Sequence, residues 1–154
     1  GGMTMGADPL VSATTAISHE LGRPLNGLLV RKEAKDHGEG GVIVGAPLKG
    51  KVVIIDDVIS AGTSIRESVK IIQQCGAEPS GVLIALDRQE RGGNAEVLTE
   101  TSAVQDVEKT FGFHVASIIT LSDLLSFMNG DSAAAQAVAE FRPAVRAYRD
   151  RYGA

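Results

Sequence analysis

The chain has 154 residues, of which 44% are apolar and 22% charged, a size and balance that suit one globular domain with a real core and exclude global disorder. Its single cysteine, Cys75, excludes an intrachain disulfide framework and points to a reducing, cytoplasmic setting, and no apolar run approaches the roughly 18 residues needed to cross a membrane. Fifteen basic against nineteen acidic residues, a net charge of -4, argue against a general nucleic-acid binder while leaving room for a local basic site for a small anion.

No basic start followed by an apolar core and a cleavage site marks a secretory leader. The opening Gly1-Gly2-Met3 reads either as an added tail or as the middle of a loop. Asp8-Pro9 predicts a helix N-cap with proline at the first helical position, and the helix runs to about Leu21 and stops at Gly22. Leu25–Val30 reads as a strand, and the charged, glycine-ended stretch Arg31–Gly41 as a loop. Val42–Val44 is a short strand. Val52-Val53-Ile54-Ile55 is a β-branched run of the kind buried on both faces of a parallel sheet. After Asp56-Asp57 and a loop of small residues, Ile65, Val69 and Ile72 keep helical spacing to about Cys75, with Gly76 suited to follow the helix end. Val82–Leu86 is the next strand, Ser102–Phe111 a helix, Val115–Thr120 a strand and Ser122–Met128 a short helix. Ala133–Tyr152 is mostly helical, broken or restarted at Pro143. Strands alternating with helices predict an α/β fold with a mainly parallel twisted sheet flanked by helices, whose ligands sit at the carboxyl ends of the strands.

The strongest constellation is the strand end at Asp56-Asp57. Ser60, Ala61, Gly62, Thr63 and Ser64 leave backbone N–H groups uncovered at a helix start, a cradle suited to phosphate. The lysine and glycine spacing of the nucleoside-triphosphate loop is absent. Two aspartates facing a phosphate would repel it. They make sense facing hydroxyls, a bound metal, or positive charge that develops in a reaction, and a sugar phosphate supplies phosphate and hydroxyls together. The plainer alternative is that Asp56 and Asp57 only cap and turn the chain. Glycine is also in excess, eighteen residues or about 12% against a usual ~7%, while aromatics are 4% with no tryptophan; this favours binding through backbone over an aromatic platform. His19 and His114 read as surface or structural residues, Cys75 as packed at a helix end, and Tyr148 and Tyr152, four apart, as docking the last helix.

Val53–Ser64, VIIDDVISAGTS, resembles the phosphoribosyl-diphosphate (PRPP) signature of type I phosphoribosyltransferases. Arg31–Gly41, RKEAKDHGEGG, resembles the mobile catalytic loop of the orotate phosphoribosyltransferase family, and Leu86–Gly92, LDRQERG, its base-recognition segment. The resemblance runs from about Gly1 to about Leu125 and weakly beyond. It implies a single core domain over residues 1–154 that transfers the phosphoribosyl group of PRPP to orotate, releasing pyrophosphate. It assigns PRPP binding to Arg31, Lys32, Lys35, His37, Asp56, Asp57, Val58, Ile59, Ser60, Ala61, Gly62, Thr63 and Ser64. Lys35, Asp56 and Asp57 carry the catalytic roles, and Ser60 and Arg88 meet orotate. Mg²⁺ is expected through PRPP and water, with no metal held by the protein directly. The resemblance further implies a homodimer with shared active sites, in the cytoplasm, with neither nucleic acid nor membrane as partner. Gly1–Pro9 resembles the family's pyrophosphate-contacting loop. Thr4 and Met5 stand where some relatives carry a tyrosine–lysine pair, and the family's hood over the base pocket and its first core strand precede Gly1 in relatives.

The residue chemistry agrees. Pyrophosphate leaving an anomeric carbon leaves oxocarbenium-like charge, which carboxylates stabilise. The leaving group gains negative charge that Mg²⁺ and the cations Arg31, Lys32, Lys35 and His37 would meet. Glu33, Asp36 and Glu39 alternate with these cations, and Gly38, Gly40 and Gly41 allow hinging. By composition alone the segment reads as a solvated charged turn. A non-catalytic PRPP-binding regulator, an inactive fragment and a purine-type transferase are the alternatives. Net charge, the presence of Lys35 and Arg88 weigh against the first and last of these, and the missing hood is what favours the second.

Overall fold

The β-branched run at residues 52–55 becomes a strand whose buried positions, Val52, Ile54 and Ile55, pack against helices. The computed structural model describes residues 1–3, 5–35, 41–93 and 98–154, with the backbone alone described at 32–35 and 98. The chain runs β1 (Gly2–Met3), α1 (Ala7–Glu20), β2 (Leu28–Lys35), β3 (Gly41–Gly45), β4 (Lys51–Val58), α2 (Thr63–Gln74) and β5 (Glu78–Asp87). It continues through β6 (Arg91–Gly93), β7 (Leu98–Ser102), α3 (Ala103–Phe111), β8 (Val115–Thr120), α4 (Leu121–Met128), α5 (Ala133–Ala137), a 3₁₀ turn (Ala139–Phe141) and α6 (Arg142–Tyr152).

β4, β5 and β8 form a parallel sheet in that order, with Ile54 beside Val82 and Val82 beside Val115. β1 pairs parallel with β2, and β2 antiparallel with β3. Gly1 links the two groups: its carbonyl accepts the Ile55 N–H at 2.6 Å and its amine donates to the Val53 carbonyl at 2.9 Å. Gly2-Met3 is thus strand, and Gly1 is tied to β4. A Cβ on Gly2 would lie 2.1 Å from the Ile55 carbonyl oxygen and 2.4 Å from Ala7 Cβ, so only glycine lets β1 approach β4 this closely. Gly2→Ala is expected to destabilise the fold by about 1–3 kcal/mol, the usual range for forcing atoms into a packed site. A urea midpoint equal to the parent's would show that β1 can shift aside.

One core layer lies between the sheet and the helices α2 and α3. Ile54, Ile65, Ile84 and Val107 are its most deeply buried side chains, joined by Val52, Val69, Ile72, Val82 and Val115. On the opposite side α1 buries Ala7 and Val11 against Ile55. Ser102 caps α3 through a reciprocal pair with Gln105, at 3.1 and 2.8 Å. Thr120 and Asp123 do the same for α4; these pairs satisfy backbone donors that a helix start leaves open.

Several expectations are corrected. Arg31–Lys35 is strand, because β2 continues to pair with β3 across an irregular register until Lys35 faces Gly41; residues 36–40 lie outside the described residues. Val53 is 47% exposed, so β4 is not buried on both faces: Val53 opens on a groove lined also by Gly1, Leu25 and Pro47. α1 starts at Ala7 after Gly6, which puts Pro9 third in the helix, still within the turn whose N–H groups lack intrahelical partners. Cys75 is exposed, because α2 ends at Gln74 and the chain turns away from the buried stripe. The β6–β7 pair has no apolar alternation to announce it; Thr101 instead donates its hydroxyl to Asp106 on α3, and Thr99 donates to the Thr101 carbonyl at 2.8 Å. Pro143 does restart the helix, as the second residue of α6.

Candidate active site

Parallel strands deliver their carboxyl ends to one edge of the sheet, here Asp56-Asp57-Val58 of β4, Asp87 of β5 and Thr120 of β8. Asp56 is buried, with 8% of its surface exposed. Its Oδ1 accepts the Asp57 N–H at 3.0 Å and its Oδ2 the Ser64 hydroxyl at 3.1 Å. Burial raises the Asp56 pKa above its ordinary value; the hydrogen bonds from Asp57 N–H and Ser64 pull it back, and the neighbouring Asp57 charge pushes it up again. Asp57 is exposed, and its Oδ1 accepts the Val58 N–H at 2.8 Å. Both aspartates therefore do shape the turn, while Asp57 also presents a carboxylate to the space above it.

That space is a cavity of about 450 Å³, lined by Met3, Met5, Gly6, Asp56, Asp57, Val58 and Ser60 through Ser64. Between Asp56 and Ser64 only Ile59 does not line it; Ile59 is 5% exposed and packs in the core, where it anchors the loop. Gly62 takes φ 69°, the left-handed conformation that suits glycine, and a Cβ there would press on Val107 at 3.2 Å. Among the described residues no side chain caps α2 behind it. The first N–H groups of α2 are thus left for an anion, with the positive end of the helix dipole behind them. Arg66 braces the loop by donating from Nη2 to the Ala61 carbonyl at 3.0 Å.

Register brings the third segment in. Val58 lies beside Leu86, so the residues after β5 emerge next to the loop after β4. Arg88 Nη2 donates to Ser60 Oγ at 2.7 Å. Arg88 Nε lies 3.1 Å from Glu90 Oε1, and Tyr148 donates its hydroxyl to the same oxygen.

The remaining predicted cations are placed less fully. Arg31 lines a neighbouring cavity of about 550 Å³ with Lys70 and Glu67, and Met3 borders both cavities. Lys32 and Lys35 have described backbones on β2, and His37 lies outside the described residues. Sequence reasoning singled out neither Glu90 nor any link from Tyr148 to the site. Glu90 sits inside the LDRQERG segment and could have been found as a carboxylate two residues from Arg88. Tyr148 is 58 residues from Glu90, and no local pattern announces that contact. Tyr148 does dock the last helix, and its ring lies 5.0 Å from that of Tyr152.

No family model matches the chain. A protein of Bordetella petrii named orotate phosphoribosyltransferase is 60% identical over 149 residues, which span 94% of this chain and 64% of that one. The crystal structure of the orotate phosphoribosyltransferase of Francisella tularensis superposes with a TM-score of 0.74 at 25% identity, covering 99% of this chain and 69% of that one. The Mycobacterium tuberculosis enzyme, solved in complex with PRPP, superposes with a TM-score of 0.61 at 31% identity over 80% of this chain and 62% of that one. The chain thus spans about 64% of the length of the curated relatives it matches. A parallel sheet that ends in a phosphate cradle, joined to these likenesses, gives the chain the type I phosphoribosyltransferase fold and makes it a homologue of the orotate phosphoribosyltransferase family.

Proposed function

We propose that the full-length protein transfers the 5-phosphoribosyl group of PRPP to orotate, giving orotidine 5′-monophosphate and pyrophosphate in pyrimidine nucleotide biosynthesis. The observation that carries this reading is Arg88, set 2.7 Å from Ser60 at the rim of the phosphate cradle. A cradle alone would serve any phosphoribosyl transfer; an arginine at its rim selects an acceptor that carries a carboxylate.

The 5′-phosphate sits on the N–H groups from Ala61 to Ser64. Asp56 and Asp57 face the ribose hydroxyls and offset charge as the anomeric C–O bond breaks and its electron pair leaves on pyrophosphate. The base nitrogen supplies the pair for the new bond, and its proton passes to water or to the released pyrophosphate. Lys35, with Arg31, Lys32 and His37, meets the departing pyrophosphate. Mg²⁺ fits this donor set: both Asp56 oxygens are engaged within the protein, whereas Asp57 is exposed to the cavity as a hard oxygen donor that could hold such an ion through water. When bound, that ion would neutralise negative charge on pyrophosphate. A two-fold dimer with shared sites and a cytoplasmic location complete the proposal; among the described residues no helix is long and apolar enough to cross a membrane.

Orotate-dependent release of pyrophosphate from PRPP by the full-length protein tests the reading, together with Arg88→Ala. A charge-assisted pair contributes about 1.5–3 kcal/mol, so this variant should raise the orotate KM roughly 10- to 150-fold while the PRPP KM hardly moves. Arg88→Lys should recover only part of the loss, since an ammonium cannot reproduce the two-pronged geometry. If Arg88→Ala weakens PRPP as much as orotate, Arg88 is a general electrostatic residue and base selection lies elsewhere.

A further inference from the structure

Arg88 is held at two points. Its Nη2 is fixed on Ser60 at 2.7 Å, and its buried Nε pairs with Glu90 Oε1 at 3.1 Å by charge, without hydrogen-bond alignment. Among the described residues no partner is assigned to Nη1. The same Oε1 accepts the hydroxyl of Tyr148 on α6. That contact lifts the Tyr148 pKa above its ordinary value, chiefly through the hydrogen bond to Glu90.

The backbone around Arg88 is tied down as well. Gln89 adopts φ 53°, an uncommon conformation for a residue with a side chain. Its Oε1 accepts from Ser122 N at 2.9 Å and from Ser122 Oγ at 2.6 Å, and its carbonyl accepts the Ala154 N–H at 2.9 Å. Arg91 Nε donates to the Gly153 carbonyl at 2.8 Å. A conformation of this kind persists where its surroundings over-determine it, and such places gather at ligand sites. A segment serving only to connect β5 to β6 would not need four outside anchors.

We infer that Glu90 and Tyr148 are positioning residues for the acceptor base: Tyr148 holds Glu90, and Glu90 holds the Arg88 guanidinium turned toward Ser60, with its remaining edge directed to the substrate carboxylate. The inference rests on the proposed orotate transfer and adds to it the control of Arg88 from the C-terminal helix. Glu90 places a negative charge near an anionic substrate. An untethered arginine would attract that substrate more strongly as a point charge, and the value of the pair lies in orientation.

The test is a set of steady-state measurements on full-length protein. Tyr148→Phe removes one hydroxyl and keeps the ring, and should raise the orotate KM about fivefold while the PRPP KM stays within about twofold. Glu90→Gln keeps the shape and removes the charge, and should raise the orotate KM by about tenfold. In an Arg88→Ala background Tyr148→Phe should add nothing, because the tether then has nothing to hold. A lower orotate KM in Glu90→Gln would show that Glu90 opposes the substrate charge and does not orient Arg88, and would overturn the inference. So would an unchanged orotate KM in Tyr148→Phe, or an effect of that variant that persists without Arg88. A parent protein that releases no pyrophosphate with orotate would instead overturn the proposed function, and the inference with it.

Discussion

Asp56→Asn and Asp57→Asn each fold as the parent does and lose at least about 100-fold of turnover, the scale on which one preorganised charge or donor at a transition state matters. Asn at position 56 offers an oxygen to the Asp57 N–H and an amide to Ser64, so both local contacts survive the loss of charge. Asn at position 57 likewise still accepts the Val58 N–H. The turn is therefore kept while the offset to oxocarbenium-like charge is removed, which separates the two roles that a carboxylate at this strand end can play. The pH dependence of stability supplies a second check on Asp56. Its folded pKa lies above the ordinary 3.8, because burial disfavours the charged form. The stability this group contributes is fully present below the unfolded value and is lost as pH rises through the raised folded value. Asp56→Asn removes that slope and should be no less stable than the parent at neutral pH. Calorimetric unfolding and single-turnover rates on the same samples decide the matter: variants that unfold yet keep their rate per folded molecule would reduce both aspartates to turn-makers.

Lys35→Ala is expected to lower turnover by roughly 10²–10³-fold, about 2.7–4 kcal/mol of transition-state stabilisation, with a much smaller change in PRPP affinity. Pyrophosphate gains charge as the anomeric bond breaks, so a cation that meets it then acts on the rate more than on binding. Lys35 ends β2, opposite Gly41, where the hairpin leads into residues outside the described set. Chains carrying Lys35→Ala and Asp57→Asn, mixed and refolded together, extend the test to the proposed dimer. If the lysine serves the neighbouring site, a heterodimer holds one site with both defects and one with none, and activity returns to part of the mixture. Verified heterodimers without recovery would place Lys35 in its own subunit's site, and equal turnover of Lys35→Ala and parent would remove it from the mechanism.

The order of strands and helices, the phosphate cradle and the aspartate pair were legible in the sequence because each rests on neighbours in the chain. Val52–Ile55 is β-branched, Ile65, Val69 and Ile72 keep the helical period, and Ser60–Ser64 are small enough to bare their own N–H groups. The positions of Ser60 and Arg88 on one rim followed only from the resemblance; tertiary structure supplies the cause, the register that sets Val58 beside Leu86. Tertiary structure alone decided three further things. Gly2 is strand because β1 pairs with β2, and β4 lies within 2.1 Å of where a Gly2 side chain would begin. Arg31–Lys35 is strand because β3 pairs with it, although its charges read as a solvated turn. Glu90 and Tyr148 meet because the chain after α6 returns alongside residues 89–91, where Glu90 bridges Gly153, and a contact between residues 58 positions apart leaves no period or spacing in the sequence. Local patterns record what a residue asks of its near neighbours; partners delivered by chain reversal and register become visible only once the sheet has formed.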